Sequence, residues 1–144
     1  MESQSDRTVS PERPPIRSLL EPGAVALVFS ILVNSLIVFV ANTAGIAPEL
    51  DALNYGPVTV LTTVGVVGAT ATYGILTRLT ANPDRVFVAV ATVVLLVSLI
   101  PDFTYIPDEP GGTLLAGAVL GLMHVTTAVI CVVVLTRLRD RIRG

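Results

Sequence analysis

Two polar side chains lie about halfway along long apolar stretches of the sequence. They are Asn34 and His124, the only histidine of the chain. If these stretches cross a membrane, polar groups at that depth are costly unless they are paired, so they face the interior of a helix bundle. We therefore expect a hydrogen bond between Asn34 and His124, supported by the hydroxyls of Thr62 and Thr72 on another stretch.

This predicted polar interior has more than one interpretation. In the first, the hydrogen bonds only fix the register of the helices, each contributing about 0.6–2 kcal/mol. In the second, the side chains form a site for a proton or a solute. The third interpretation is haem ligation. Because the chain has one histidine, a bis-histidine haem site would require a dimer. We predict no cofactor.

A second group of candidate residues is acidic and lies in the proline- and glycine-rich connector before the last apolar stretch. It consists of Asp102, Asp108 and Glu109. Carboxylate oxygens are the ligands that hard cations prefer, and Glu49 or Asp51 of an earlier connector could complete such a site. The alternative is a rigid turn whose acidic side chains are solvated. In that case Asp102 lies at the membrane edge and either caps a helix end or pairs with a nearby group.

Several classes of membrane enzyme and transporter are disfavoured by what the sequence lacks. A single cysteine, Cys131, excludes the cysteine pairs of a thiol oxidase. Neither a phosphate-binding loop nor an HExxH motif is present. We also expect no carboxylate inside any apolar stretch, which weakens ion-coupled transport. The sequence therefore predicts a protein that is not an enzyme, holds no metal and binds no nucleic acid.

The elements that must position these residues are four long apolar stretches. Apolar residues make up 52% of the chain and charged residues 14%, with a mean hydropathy of +0.78, which is far from a soluble domain. Each stretch has about the length of a membrane-spanning helix, although the third reaches that length only if it continues past Pro101 with a kink. The fold class predicted is all-α, a four-helix transmembrane bundle. Its spans run over about 23–44, 57–79, 86–104 and 113–135, between a disordered tail at 1–21 and a basic tail at 137–144.

The basic residues predict how the chain is threaded. All nine are arginines, and they occupy the two tails and the connector between spans 2 and 3. In the other two connectors the only charged residues are acidic. Arginine and lysine favour the cytoplasmic side. We therefore expect a multi-pass protein of the cell membrane with both termini in the cytoplasm, and the absence of lysine suits a halophilic or GC-rich host.

Small residues predict where helices approach closely. Gly117 and Gly121 have GxxxG spacing on span 4, and Gly65 lies on a similar stripe of span 2. Such residues let membrane helices pack closely. This packing is either within a bundle whose core is spans 1, 2 and 4, or between two copies through the span 4 glycines. Span 3, rich in valine and leucine, is expected to face lipid most.

The connector Pro101-Asp102-Phe103-Thr104-Tyr105-Ile106-Pro107-Asp108-Glu109-Pro110-Gly111 and the later Ala118-Val119-Leu120-Gly121-Leu122-Met123-His124 resemble a family of small four-helix membrane proteins from halophilic archaea and actinobacteria. That family is a domain of unknown function. The resemblance covers most of the chain from about residue 20 and implies the fold and membrane location, but no activity. Two hypotheses follow from the residues: a non-enzymatic protein that associates with itself or a membrane partner, or a small ion or solute transporter or channel subunit.

Overall fold

The computed structural model describes residues 16–143, and the side chains of residues 18–138. This part of the chain is all-helical and contains no strand, which confirms the all-α part of the prediction, and its four apolar helices fit a bundle. Short 3-10 segments at Ile16–Leu19, Asp51–Leu53 and Ile106–Asp108 flank the long helices. Most of the predicted N-terminal tail lies outside the described residues. The long helices are α1 (Leu20–Thr43), α2 (Tyr55–Leu79), α3 (Pro83–Thr104) and α4 (Leu114–Arg143).

Each long helix meets the length and composition of a membrane span. The shortest of the four candidate spans has 24 residues, or about 36 Å at the ~1.5 Å rise of an α-helix, enough to cross the ~30 Å hydrocarbon core. The third candidate span runs over Pro83–Asp108. Helix α3 continues through Pro101 because its last turn is closed by a bond from Tyr105 N–H to the Pro101 carbonyl (2.9 Å). Together the four helices suggest a multi-pass membrane protein.

The end of α1 shows how the sequence stops one of these helices. Gly45 has φ +69°, a conformation that glycine adopts without a side-chain penalty. This lets Gly45 N–H bond the Asn42 carbonyl and Ile46 N–H bond the Ala41 carbonyl, the pair of bonds of a Schellman motif. The first connector therefore leaves the helix in a defined direction.

The core divides into two apolar clusters separated by polar residues. In α1, α2 and α4 alike, a buried polar layer containing Asn34, Thr62 and Thr127 lies between the two. One end of the bundle bears Arg78, Arg85 and Arg137 and is called the arginine-bearing end. The cluster at this end consists of Leu19, Ala26, Val66, Tyr73, Phe87, Cys131 and Leu135. The cluster at the acidic end consists of Val38, Leu50, Leu53, Val58, Ile106, Ala116, Leu120 and Met123.

The helices form an open arrangement rather than a closed core of three. Helix α4 packs against α1 and α3, and α1 also packs against α2, whereas α2 meets α3 and α4 only loosely. The expectation that α1, α2 and α4 form the tight core therefore holds for the α1–α2 and α1–α4 contacts, whereas α4 packs more closely against α3 than against α2. As expected, α3 is the most exposed: 11% of the most apolar segment of its span is buried, against 22–28% in the others. The loose α2–α3 contact leaves space between these helices.

Candidate functional site: a cavity with a buried aspartate beside a histidine

The space between α2, α3 and α4 forms a cavity of about 620 Å³, which is within the ~300–1,000 Å³ range of small-molecule sites. Most of its wall is apolar, with contributions from Val94, Leu95 and Met123. A small number of polar groups converge on it, as in sites that orient a ligand. They are Asn34, Thr62, Thr72, Ser98, Asp102, His124 and Thr127.

Asp102 is a carboxylate buried inside the bundle. Its exposed fraction is 4%, although it lies in the last turn of α3, a helix expected to contain no acid. The backbone of α4 approaches it closely because position 117 is glycine: a Cβ there would lie 2.0 Å from the Asp102 carbonyl oxygen. At Gly121 a Cβ would lie 3.1 Å from Leu99 Cδ2 and 3.7 Å from Asp102 Oδ2. The two glycines thus form the α3–α4 contact that encloses Asp102.

His124 is the partner of this carboxylate. Its Nδ1 lies 2.9 Å from Asp102 Oδ2 and 3.0 Å from the Leu120 carbonyl oxygen. Both neighbours are acceptors, so we assign the proton to Nδ1. Nδ1 carries one proton for both acceptors, and its direction favours Leu120, so Asp102 Oδ2 receives at most part of a hydrogen bond from His124. The carboxylate therefore retains acceptor capacity toward the cavity that it lines.

Asn34 organises the second polar group and joins three helices. Its Nδ2 donates to Thr62 Oγ1 of α2 (2.9 Å) and to Thr127 Oγ1 of α4 (3.0 Å). The Thr126 hydroxyl shares its one proton between Asn34 Oδ1 (3.2 Å) and the Met123 carbonyl oxygen (3.0 Å). Nearly all of the hydrogen-bonding capacity of this buried amide is thus used within the bundle.

The expected hydrogen bond between Asn34 and His124 is not formed, and that prediction was wrong. Side chains of a helix point back toward its N-terminus, which on α4 is the acidic end of the bundle. His124 therefore reaches toward Asp102, and Thr126 and Thr127, about one turn deeper, meet Asn34. Asp102, expected at the outer edge of span 3, lies buried in the last turn of α3, because this helix continues through Pro101.

The remaining predicted residues are placed as follows. Thr72 is half-buried and lines the cavity. Gly65 also lines it, but a Cβ there would meet nothing within 4 Å, so this glycine does not mediate a close helix contact. Asp108 is exposed and Glu109 half-buried, and neither lines the cavity with Asp102. Within the described residues there is no group of three or more His, Cys, Asp or Glu side chains that could hold a metal ion.

Sequence reasoning missed Ser98, Thr126 and Thr127 as part of this site. The adjacent threonines follow His124 by two and three positions, so at least one of them must share its helix face. That spacing was a usable signal. The pairing of Asp102 with His124 had a weaker signal, since it required α3 to continue through a proline.

Comparison with known proteins gives a family but no activity. Neither the curated proteins nor the solved structures include a match to this chain. A family model, however, matches residues 14–141, which include all of the four helices but the last two residues of α4, and every residue of the cavity. The chain therefore belongs to DUF6069, a family of unknown function.

Proposed function

We propose that the protein crosses the cell membrane four times with both termini in the cytoplasm. Three exposed arginines, Arg78, Arg85 and Arg137, lie at the end of α2, the start of α3 and the end of α4. Because successive helices alternate in direction, these positions are at one end of the bundle. The excess of arginine there supports a cytoplasmic location for that end. A halophilic host remains a prediction from composition.

We propose that the cavity binds a small amphipathic cation, an apolar body with a protonated amine, as the binding site of a small transporter or transporter subunit. The observation that supports this most is the buried carboxylate of Asp102, which lines an otherwise mostly apolar cavity. A carboxyl group in such surroundings stays ionised only beside a compensating positive charge. An ammonium group provides that charge and donates to Oδ2, while the apolar walls take up the rest of the ligand.

The pair also offers a way to exchange a proton for the ligand. When His124 is protonated, its charge compensates Asp102, and an added cation is repelled by the imidazolium. When His124 is neutral, the site carries one uncompensated negative charge and attracts a cation. Cation binding and protonation of His124 therefore oppose each other in this proposal, which is the coupling that a cation–proton exchanger requires.

Equilibrium binding of octylamine and of octanol to the protein in lipid nanodiscs tests this proposal. The two probes share an apolar chain and differ in the charged head. After subtraction of partition into empty nanodiscs, we expect saturable binding of the amine that is at least about tenfold tighter than that of the alcohol. Asp102→Asn removes the charge and keeps the shape, and should weaken amine binding about tenfold or more, the loss expected for a charge-assisted hydrogen bond of about 1.5–3 kcal/mol.

Asp108→Asn is the matched control, because this acid is exposed at the same end of the bundle and does not line the cavity. It should bind the amine like the unchanged protein. Equal binding of amine and alcohol, or equal amine binding by the protein and its Asp102→Asn variant, would remove the proposal.

Association with a second copy or another membrane protein is the second candidate function. Gly65 and Gly68 favour it, because both are exposed on α2 and a Cβ at either position would meet nothing within 4 Å. A homodimer through Gly117 and Gly121 has lost its basis, since both glycines face α3. Association alone gives the Asp102–His124 pair no role besides packing, and we propose no enzymatic activity under either candidate.

A further inference from the structure

We propose that a second, separate site between α1 and α2 holds one acyl chain of an anionic phospholipid, with its phosphate against Arg78. The groove has a volume of about 500 Å³ and lies at the arginine-bearing end of the bundle. Apart from Thr70 and Arg78, its lining residues are apolar or glycine. This site shares no lining residue with the cavity at Asp102, so it does not depend on the function proposed for that cavity.

The groove arises from small residues where the two helices meet. A Cβ at Gly23 would lie 2.8 Å from Thr70 Cγ2, and one at Gly74 would lie 3.1 Å from Leu19 Cδ1. The helices therefore approach closely, and Ala24 and Ala71 add little bulk beside this contact. Larger apolar side chains form the walls on either side: Leu20, Leu27, Val67 and Ile75.

Charge selects the occupant of this groove. Arg78 is exposed at the end of α2, and the ion pair found among the described side chains, that of His124 with Asp102, does not involve it. No described acid therefore neutralises Arg78. A guanidinium group binds a phosphate through two parallel hydrogen bonds. An apolar groove that ends at such a group matches an acyl chain joined to an anionic headgroup, and matches neither a free phosphate nor an uncharged apolar molecule.

Native mass spectrometry of the detergent-solubilised protein, with phosphatidylglycerol or phosphatidylcholine of the same chains added, tests this inference. We expect one phosphatidylglycerol to be retained several-fold more than one phosphatidylcholine. Arg78→Gln should lower that retention roughly fivefold, the loss expected for one arginine contact near a membrane surface. Arg85→Gln is the matched control, because Arg85 is also exposed at this end but does not line the groove, and it should retain the lipid.

A second variant tests the apolar part of the site without touching the charge. Ala71 is exposed on α2 and lines the groove, so Ala71→Phe should fill it and displace the acyl chain while circular dichroism stays unchanged. Asp102→Asn should retain the lipid whatever it does to amine binding. Equal retention of the two lipids, or equal losses in Arg78→Gln and Arg85→Gln, would overturn the inference.

Discussion

Replacement of Gly117 by alanine should destabilise the bundle by more than about 3 kcal/mol, beyond the ~1–3 kcal/mol typical of an overpacked core. The added Cβ would lie 2.0 Å from the backbone carbonyl oxygen of Asp102. A flexible side chain could move aside, but a helix backbone can yield only if α3 and α4 separate. That separation would open the contact that encloses Asp102. Unfolding by sodium dodecyl sulphate, followed by circular dichroism, measures the effect.

Gly65→Ala is the matched control for this prediction. Both glycines lie within long helices, but a Cβ at Gly65 would meet nothing within 4 Å. Alanine is also the better helix former by about 1 kcal/mol, so this variant should be as stable as the unchanged protein or slightly more so. Equal stability of Gly117→Ala and Gly65→Ala would contradict the α3–α4 contact described above.

Replacement of His124 by alanine should cost about 2 kcal/mol, less than the ~3–5 kcal/mol for breaking a fully buried pair, because the His124 side chain is 41% exposed. The reason is the carboxylate that remains: Asp102 is left buried without its compensating partner. Adding Asp102→Asn to the same variant removes the stranded charge and should recover much of the loss. The same detergent titration, run as a double-mutant cycle, measures both changes.

The effect of octylamine on the stability of His124→Ala connects this prediction to the proposed function. A cation bound at Asp102 takes over the role of the imidazole, so saturating amine should restore stability to His124→Ala by mass action, and octanol should not. Thr136→Ala is the control on the same helix, since Thr136 bonds only its own turn, at the Val132 carbonyl, and it should change stability by less than about 0.5 kcal/mol. A silent His124→Ala variant, unaffected by amine, is what association alone predicts.

Much of the fold could be predicted from the sequence because membrane helices are specified by long, local patterns. Apolar length placed four helices near their observed bounds, and the Val- and Leu-rich composition of α3 indicated that it would be the most exposed. The order of packing could not be read in this way. It depends on which helix faces meet, and the close contact at Gly117 is specified by a neighbour fifteen positions away in the sequence, at Asp102.

The sequence predicted which residues belong to the candidate site better than it predicted which of them contact each other. Asn34 and Thr62 are buried, as depth and polarity indicated, and His124 is half-buried at the cavity. Their partners depended on helix rotation, on the direction in which side chains lean, and on the continuation of α3 past Pro101. For that reason Asp102 was assigned to an outer acidic group, although it lies under the helix ends, beside His124.

Photolabelling by an alkylamine with a diazirine at the end of its chain, followed by peptide mass spectrometry, tests the central claim most directly. If Asp102 holds the ammonium group, the label should react with cavity-lining residues of α2 and α3, such as Gly68, Ala91 and Val94, and this labelling should be lost in Asp102→Asn and retained in Asp108→Asn. Labelling confined to residues outside the cavity, or cavity labelling that persists unchanged in Asp102→Asn, would contradict it.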